Sequence, residues 1–122
     1  MKRKLEDMTV AQLVEQFTEI GLAQDHAMLY SENAKFNRLF DTMTAVEAEL
    51  KSRAGDQRRA LLPLYKHPNI QVRLKAATAT LAVEPQIARR ELEGIASTQL
   101  LPQAGEAGMR LLNLDMGVFK PT

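Results

Sequence analysis

Apolar residues between Leu61 and Val83 repeat at helical spacing on more than one face. On a helical wheel, Ile70, Leu74, Ala77 and Leu81 fall together, and Val72, Ala76, Ala79 and Val83 form a second stripe almost opposite. Gln71, Lys75 and Thr78 fill one gap between the stripes, and Arg73 and Thr80 fill the other. A surface helix needs one apolar stripe, so two stripes predict a helix packed on both sides. The residues before it, from about Gln57 to Lys66, predict a short helix with Leu61, Leu64 and Tyr65 buried. Pro63 lies inside this helix, removes a hydrogen bond to Arg59 and predicts a kink. Pro68 stops the chain and Asn69 caps the two-striped helix.

The same periodicity predicts helices on either side. Thr9 and Gln12 have capping-box spacing, with Met8 placed to staple onto Leu13. Val10, Leu13, Val14, Phe17 and Ile20 then mark one buried face, and Gly21 predicts the end of that helix. From Asp25 to Arg53 no Pro or Gly interrupts Leu29, Phe36, Leu39, Phe40, Met43, Val46 and Leu50, which predicts one long helix. Asp41-Thr42 is the place where it would divide if it did. Glu47 with Lys51 and Glu49 with Arg53 sit four apart in the favourable acid-first order. Gly55 supplies a left-handed stop and Asp56 a cap. Pro85 suits a first helical turn, with Ala88, Leu92, Ile95 and Ala96 buried behind it. After a connection over 97–102, a last helix carries Ala104, Ala107, Leu111, Leu112 and Leu114. Gly105 and Gly108 are costly inside it, which predicts close approach by a neighbouring helix. Gly117 predicts its end, with Val118 and Phe119 folded back onto the core.

About six helices and no alternating run of β-branched residues make this an all-α chain. With 122 residues it is long enough for one core and reads as a single domain, with residues 1–8 as a solvated, flexible tail. Leu61 and Leu64 precede Leu92 and Ile95 by a common offset, and Ala76 precedes Gly108 by nearly the same. That offset fits a paired-helix unit used twice.

The run LLPLYKHPNIQVRLKAATATLA resembles a HEAT repeat: a kinked first helix, a Pro-Asn turn, and Val72-Arg73 leading into an Ala-rich second helix. Together with ELKSRAG and AGEAGMRLLNLDMGVFKP, it is similar to a small bacterial domain family of unknown function with a HEAT-like, armadillo-type fold. The resemblance covers most of the chain from about Asn37. It implies a right-handed α-α superhelix and brings no activity or catalytic residues. It also implies that Arg73 serves packing and hydrogen bonding between repeats. Pro63, Pro68, Gly105 and Gly108 join it as structural positions.

The chemistry-bearing residues narrow the function classes. Cysteine is absent, so disulfides, thiolate catalysis and cysteine-zinc sites are excluded, in keeping with a cytoplasmic protein. His26 and His67 lack metal-ligand spacing, with Asp25-His26 at an expected helix start and His67 in a turn. Gly105 to Gly108 has neither the glycine fingerprint nor the strand of a nucleotide loop. Met43 and Met109 have core spacing. No membrane span or signal segment is expected, and no catalytic residue, metal or cofactor.

Charge is less even than the net +1 suggests. Residues 51–90 carry nine basic and two acidic side chains, whereas residues 5–50 carry nine acids against Lys35 and Arg38. Two readings are open: the opposite charges are satisfied within the fold, or the central helices present a basic surface built from Arg58, Arg59, Lys75, Arg89 and Arg90. The leading function class is a non-catalytic module that binds another protein presenting an acidic surface, with an inhibitor or immunity-type factor as a narrower guess. Weak nucleic-acid binding by the same basic residues is the alternative, and an enzyme whose site converges only in space is the third class. A monomer and a homodimer are both compatible with the sequence, since a short helical stack leaves an end face uncovered.

Overall fold

The computed structural model describes residues 4–122, and within them the chain is all-helical. A single 3₁₀ turn at Leu5–Asp7 is followed by α1 (Val10–Leu29), α2 (Asn33–Ser52), a 3₁₀ helix (Gln57–Lys66), α3 (Ile70–Thr80), α4 (Pro85–Ser97) and α5 (Gln103–Asp115). The chain divides into two compact units, one ending at Leu61 and the other beginning at Leu62.

In the first unit α1 and α2 pack against each other. The capping box forms as its spacing predicts: Gln12 N–H donates to Thr9 Oγ1 at 3.1 Å, and Thr9 N–H donates to Gln12 Oε1 at 2.9 Å. Leu13, Phe17 and Ile20 are buried. The helix does not stop at Gly21, however. Gly21, Gln24 and Ala27 continue the buried face, so tertiary packing outweighs the propensity cost of one glycine.

The expected single helix over 25–53 is two helices, and the break lies neither at Gly21 nor at Asp41-Thr42. Ser31 adopts a left-handed conformation (φ 55°) after α1. Glu32 N–H then donates to Ala27 O at 2.8 Å and Ser31 N–H to Met28 O at 3.2 Å, a Schellman closure that satisfies the last carbonyls. Glycine ordinarily announces such a joint and here a serine occupies it, so the sequence carries no signal. The apolar run along α2 is correspondingly less buried than its spacing suggests. Met43, Val46 and Leu50 are in the core, whereas Phe40 and Leu29 of α1 are exposed.

The segment expected as a flexible tail is partly tethered; Met1–Arg3 lie outside the described residues. Arg53 Nη2 donates to Leu5 O at 3.1 Å and to Met8 O at 2.7 Å, while Arg53 Nε bonds Glu49 at 2.6 Å. The Glu49–Arg53 pair thus forms and orients a guanidinium that holds the N-terminal turn.

Gln57–Lys66 is a 3₁₀ helix instead of a kinked α-helix. Pro63 has no N–H and its ring opposes the carbonyl four residues back, so the segment winds with the tighter i to i+3 pattern. His67 N–H closes it onto Leu64 O at 3.0 Å.

In the second unit α3, α4 and α5 share a core of Leu74, Ala77, Leu81, Ala88, Leu92, Ile95 and Ala107, with Tyr65, Ile70, Leu111, Leu114 and Phe119 packed at its edge. Val72, Ala76 and Ala79 of the second α3 stripe are also buried, so this helix excludes water on both faces as its pattern predicts. Gly117 (φ 73°) ends α5 with a second Schellman closure, Val118 N–H donating to Asn113 O at 2.9 Å and Gly117 N–H to Leu114 O at 3.2 Å. Phe119 returns to the core, under the Arg110 guanidinium at 4.5 Å from its ring centroid, but Val118 is exposed.

Candidate interaction surface

The turn before α3 is built from its own side chains. Asn69 Oδ1 accepts from Gln71 N–H at 2.9 Å and Val72 N–H at 3.2 Å, which caps α3. Asn69 N–H in turn donates to His67 Nδ1 at 3.0 Å, so His67 is an accepting member of the turn. Arg73 reaches back over one helical turn. Its Nη1 donates to His67 O at 2.8 Å and Pro68 O at 3.0 Å, and its Nε lies 3.9 Å from Glu91 Oε2 on α4. Arg73 therefore joins the turn to the next helix. Burial pushes the Glu91 carboxyl above its ordinary range, with Arg73 only partly offsetting that rise. Burial likewise raises the Tyr65 phenol, whose hydroxyl bonds that of Thr80. Thr80 Oγ1 also bonds Ala76 O at 2.8 Å.

The five basic residues that the sequence suggests as a surface do not form one continuous free patch. Arg58 forks onto Asp56, with Nε to Oδ1 at 2.9 Å and Nη2 to Oδ2 at 2.7 Å. These hydrogen bonds hold the Asp56 carboxyl below its usual range and raise the guanidinium. Lys75 is not a surface residue at all. It is 8% exposed, and its Nζ donates to Glu106 Oε2 at 2.9 Å. Arg89 grips Asp115 with two bonds of 2.8 and 3.1 Å and lies 3.4 Å from Glu93; the Asp115 carboxyl is lowered as a result. Arg59 and Arg90 are exposed. Arg58 and Arg59 belong to the first unit, and Lys75, Arg89 and Arg90 to the second. Three of the five candidate residues are thus met by carboxylates: Arg58 by Asp56, which the linear count already includes, and Lys75 and Arg89 by Glu106 and Asp115 of α5. Those two acids lie outside the segment over which the charge is counted, which is why a linear count overstates the basic surface.

Lys75–Glu106 is a rung joining α3 to α5, and a hydrogen bond from Gln103 Nε2 to Gln71 Oε1, 3.0 Å long and buried, is another. Periodicity places Gln71 and Lys75 in a polar gap; the rungs explain how polar residues there are buried.

The glycines of α5 depart from the expectation of close packing. A Cβ on Gly108 would meet nothing within 4 Å, and one on Gly105 only Leu101 Cδ2 at 3.7 Å. No neighbouring helix approaches them. They lie instead beside Leu101, Met109, Leu112 and Met116, which are all exposed. Met109 and Leu112, expected in the core on spacing, both face outward, because the buried contacts of α5 are taken by Ala104, Ala107, Leu111 and Leu114. The result is an apolar helix face without a charged residue. Separately, an open groove of about 420 Å³ is lined by Leu81, Ala82, Pro85, Arg89, Leu114 and Pro121. No group of three or more His, Cys, Asp or Glu that could hold a metal ion occurs among the described residues. No helix among them is long and apolar enough to cross a membrane.

These features define a small all-α protein whose ionic chemistry is largely structural and whose outer helix carries an apolar face. Residues 11–115 match the family model described as a domain of unknown function, DUF2019, and the chain belongs to that family. It is also similar to the protein RPA1889 from Rhodopseudomonas palustris, known from its crystal structure. The two are 51% identical with a TM-score of 0.96, over 99% of this chain and 100% of that one. No curated protein matches the chain.

Proposed function

We propose that this protein is a non-catalytic, HEAT-like module that binds protein, and that the outer face of α5 is its contact surface. The observation that carries this reading is the exposure of Leu101, Met109, Leu112 and Met116 along one uncharged helix face. Contiguous apolar surface of this kind is costly to leave in water and marks interaction sites on otherwise ordinary monomers. The HEAT-like part of the reading rests on the α3–α5 rungs. They join residues 32 and 31 positions apart. In a stack of helix pairs the second helices run side by side, and equivalent positions of successive units meet. That spacing agrees with the offset between the two apolar patterns in the sequence.

The apolar character of the face favours a partner recognised by burial of hydrophobic side chains over one recognised by charge. The engagement of Arg58, Lys75 and Arg89 with carboxylates removes three of the five residues that a nucleic-acid or acidic-protein surface would use. An inhibitor or immunity-type role is one form such a module takes in a bacterial cytoplasm.

The test is capture on immobilised protein from a lysate of the native host, with wild type and Leu112→Glu in parallel. The reading expects a protein, further copies of this chain included, to be retained by wild type and lost from the variant. Equal retention on both, or none on either, would overturn it.

A further inference from the structure

We infer that the occupant of the α5 face is a second copy of this chain, docked antiparallel about a twofold axis that passes between Gly108 and Met109. This inference rests on the proposed function and names the partner of the same surface.

The first argument is self-complementarity. A twofold contact places the same surface on both partners, so the face must fit itself. Along α5 the outward positions are Leu101 just before the helix, then Gly105, Gly108, Met109, Leu112 and Met116. In an antiparallel pair centred between Gly108 and Met109, each residue meets the one equally far on the other side of the axis. Leu112 then stands over Gly105 of the partner, Met109 beside Gly108, and Met116 beside Leu101. The large side chain at 112 meets a position with no side chain, and the dyad is flanked by a glycine on each copy. Space above Gly108 is open, with nothing within 4 Å of a Cβ there, and at Gly105 the nearest atom is the tip of the exposed Leu101 side chain at 3.7 Å, which turns aside to admit the opposing Leu112. Hollows at these positions let two helices approach closely and accept the opposing side chains.

The second argument is charge. The face presents no ionised group, and the acids at its borders are committed elsewhere: Glu106 to Lys75 and Asp115 to Arg89. Two copies therefore meet without like-charge repulsion, whereas a partner recognised by charge would find nothing to pair with.

The third argument is area. Leu101, Met109, Leu112 and Met116 are 78%, 56%, 49% and 67% exposed. Together with the glycine backbone they offer on the order of 500 Å² per copy if wholly covered, hence about 1,000 Å² for the pair, the lower limit of a specific contact. A contact at that lower limit predicts a dimer that dissociates on dilution.

The experiment uses the full chain. Light scattering on eluting protein is expected to give twice the chain mass of 13.7 kDa at concentrations of order 100 µM, falling toward the single mass on dilution. Leu112→Glu and, independently, Met109→Lys are expected to give the single mass throughout, with circular dichroism unchanged because both side chains are largely exposed. The absence of natural cysteine allows a register test. Gly105→Cys and Leu112→Cys are prepared separately and oxidised alone or mixed. The inferred register expects covalent dimer from the mixture well above that from either variant alone. A chain that stays single at about 1 mM overturns the inference. So does a dimer indifferent to both charged variants, or cross-linking by each cysteine variant alone as strong as in the mixture. A single-mass chain that still captures a different protein through wild type and not through Leu112→Glu would overturn the second copy and leave the protein-binding reading standing.

Discussion

Gln103 donates its side-chain amide to the side-chain oxygen of Gln71 across 3.0 Å, with both residues buried. A buried amide deprived of a partner costs more than the bond itself contributes, because its desolvation is then uncompensated. Gln103→Leu alone and Gln71→Leu alone are each expected to lower stability by about 1–3 kcal/mol. The double replacement is expected to cost less than the two together, with a coupling of roughly 1–2 kcal/mol. Urea unfolding of the four proteins measures this directly, and strict additivity would show that the rung contributes nothing specific.

Gly94 lies in the last turn of α4 with open space where a Cβ would stand. Alanine there has lower helix-folding cost and nothing to collide with. Gly94→Ala is expected to raise stability by about 0.5–1 kcal/mol, read as a higher denaturation midpoint with an unchanged slope.

Arg53 holds the N-terminal turn through two carbonyls while Glu49 fixes its guanidinium. Lysine keeps the charge but cannot reproduce the fork. Arg53→Lys is expected to cost about 1–2 kcal/mol and to speed amide exchange at Leu5–Met8 selectively. Uniform exchange across the chain would contradict the local tether.

Glu91 and Asp56 should respond to pH in opposite senses. Burial raises Glu91 from its ordinary value near 4.5. A carboxyl whose folded pKa exceeds its unfolded one weakens the fold as pH rises through the unfolded and then the folded value, and the penalty is complete above both. Glu91→Gln is therefore expected to match or exceed wild-type stability at neutral pH, with its relative advantage shrinking as pH falls through the raised folded value and gone below about pH 4. Arg58 lowers Asp56 from its ordinary value near 3.8. Its contribution is present above that value and is lost as pH falls through the folded pKa. Asp56→Asn should thus be less stable than wild type at neutral pH and approach it in strong acid. Unfolding midpoints at several pH values test both signs.

Much of the helical order is legible in the sequence because it rests on local chemistry. Thr9 with Gln12, Asn69 after Pro68, Pro85 and Gly117 are caps and stops whose side chains or dihedrals act within one turn. The two stripes of α3 are legible for the same reason, as burial leaves a periodic trace. The joint at Ser31 is not, because a serine in a left-handed conformation has no distinguishing composition. Nor is the outward rotation of Met109 and Leu112, since periodicity shows which residues share a face but not which of two apolar faces meets the core. The candidate basic surface fails for a different reason. Lys75 and Glu106 are distant in sequence and adjacent in space, so only the fold could show that one neutralises the other.

The closure of Arg58, Lys75 and Arg89 onto nearby carboxylates has a kinetic consequence. Paired charges a few ångströms apart cancel at longer range, and the formal net charge is only +1. These paired groups project little field beyond a Debye length and add little to the attraction of a charged partner. The protein's encounters proceed by unguided diffusion, with association constants of about 10⁵–10⁶ M⁻¹ s⁻¹ that change little with added salt. The lifetime of the complex then sets its strength.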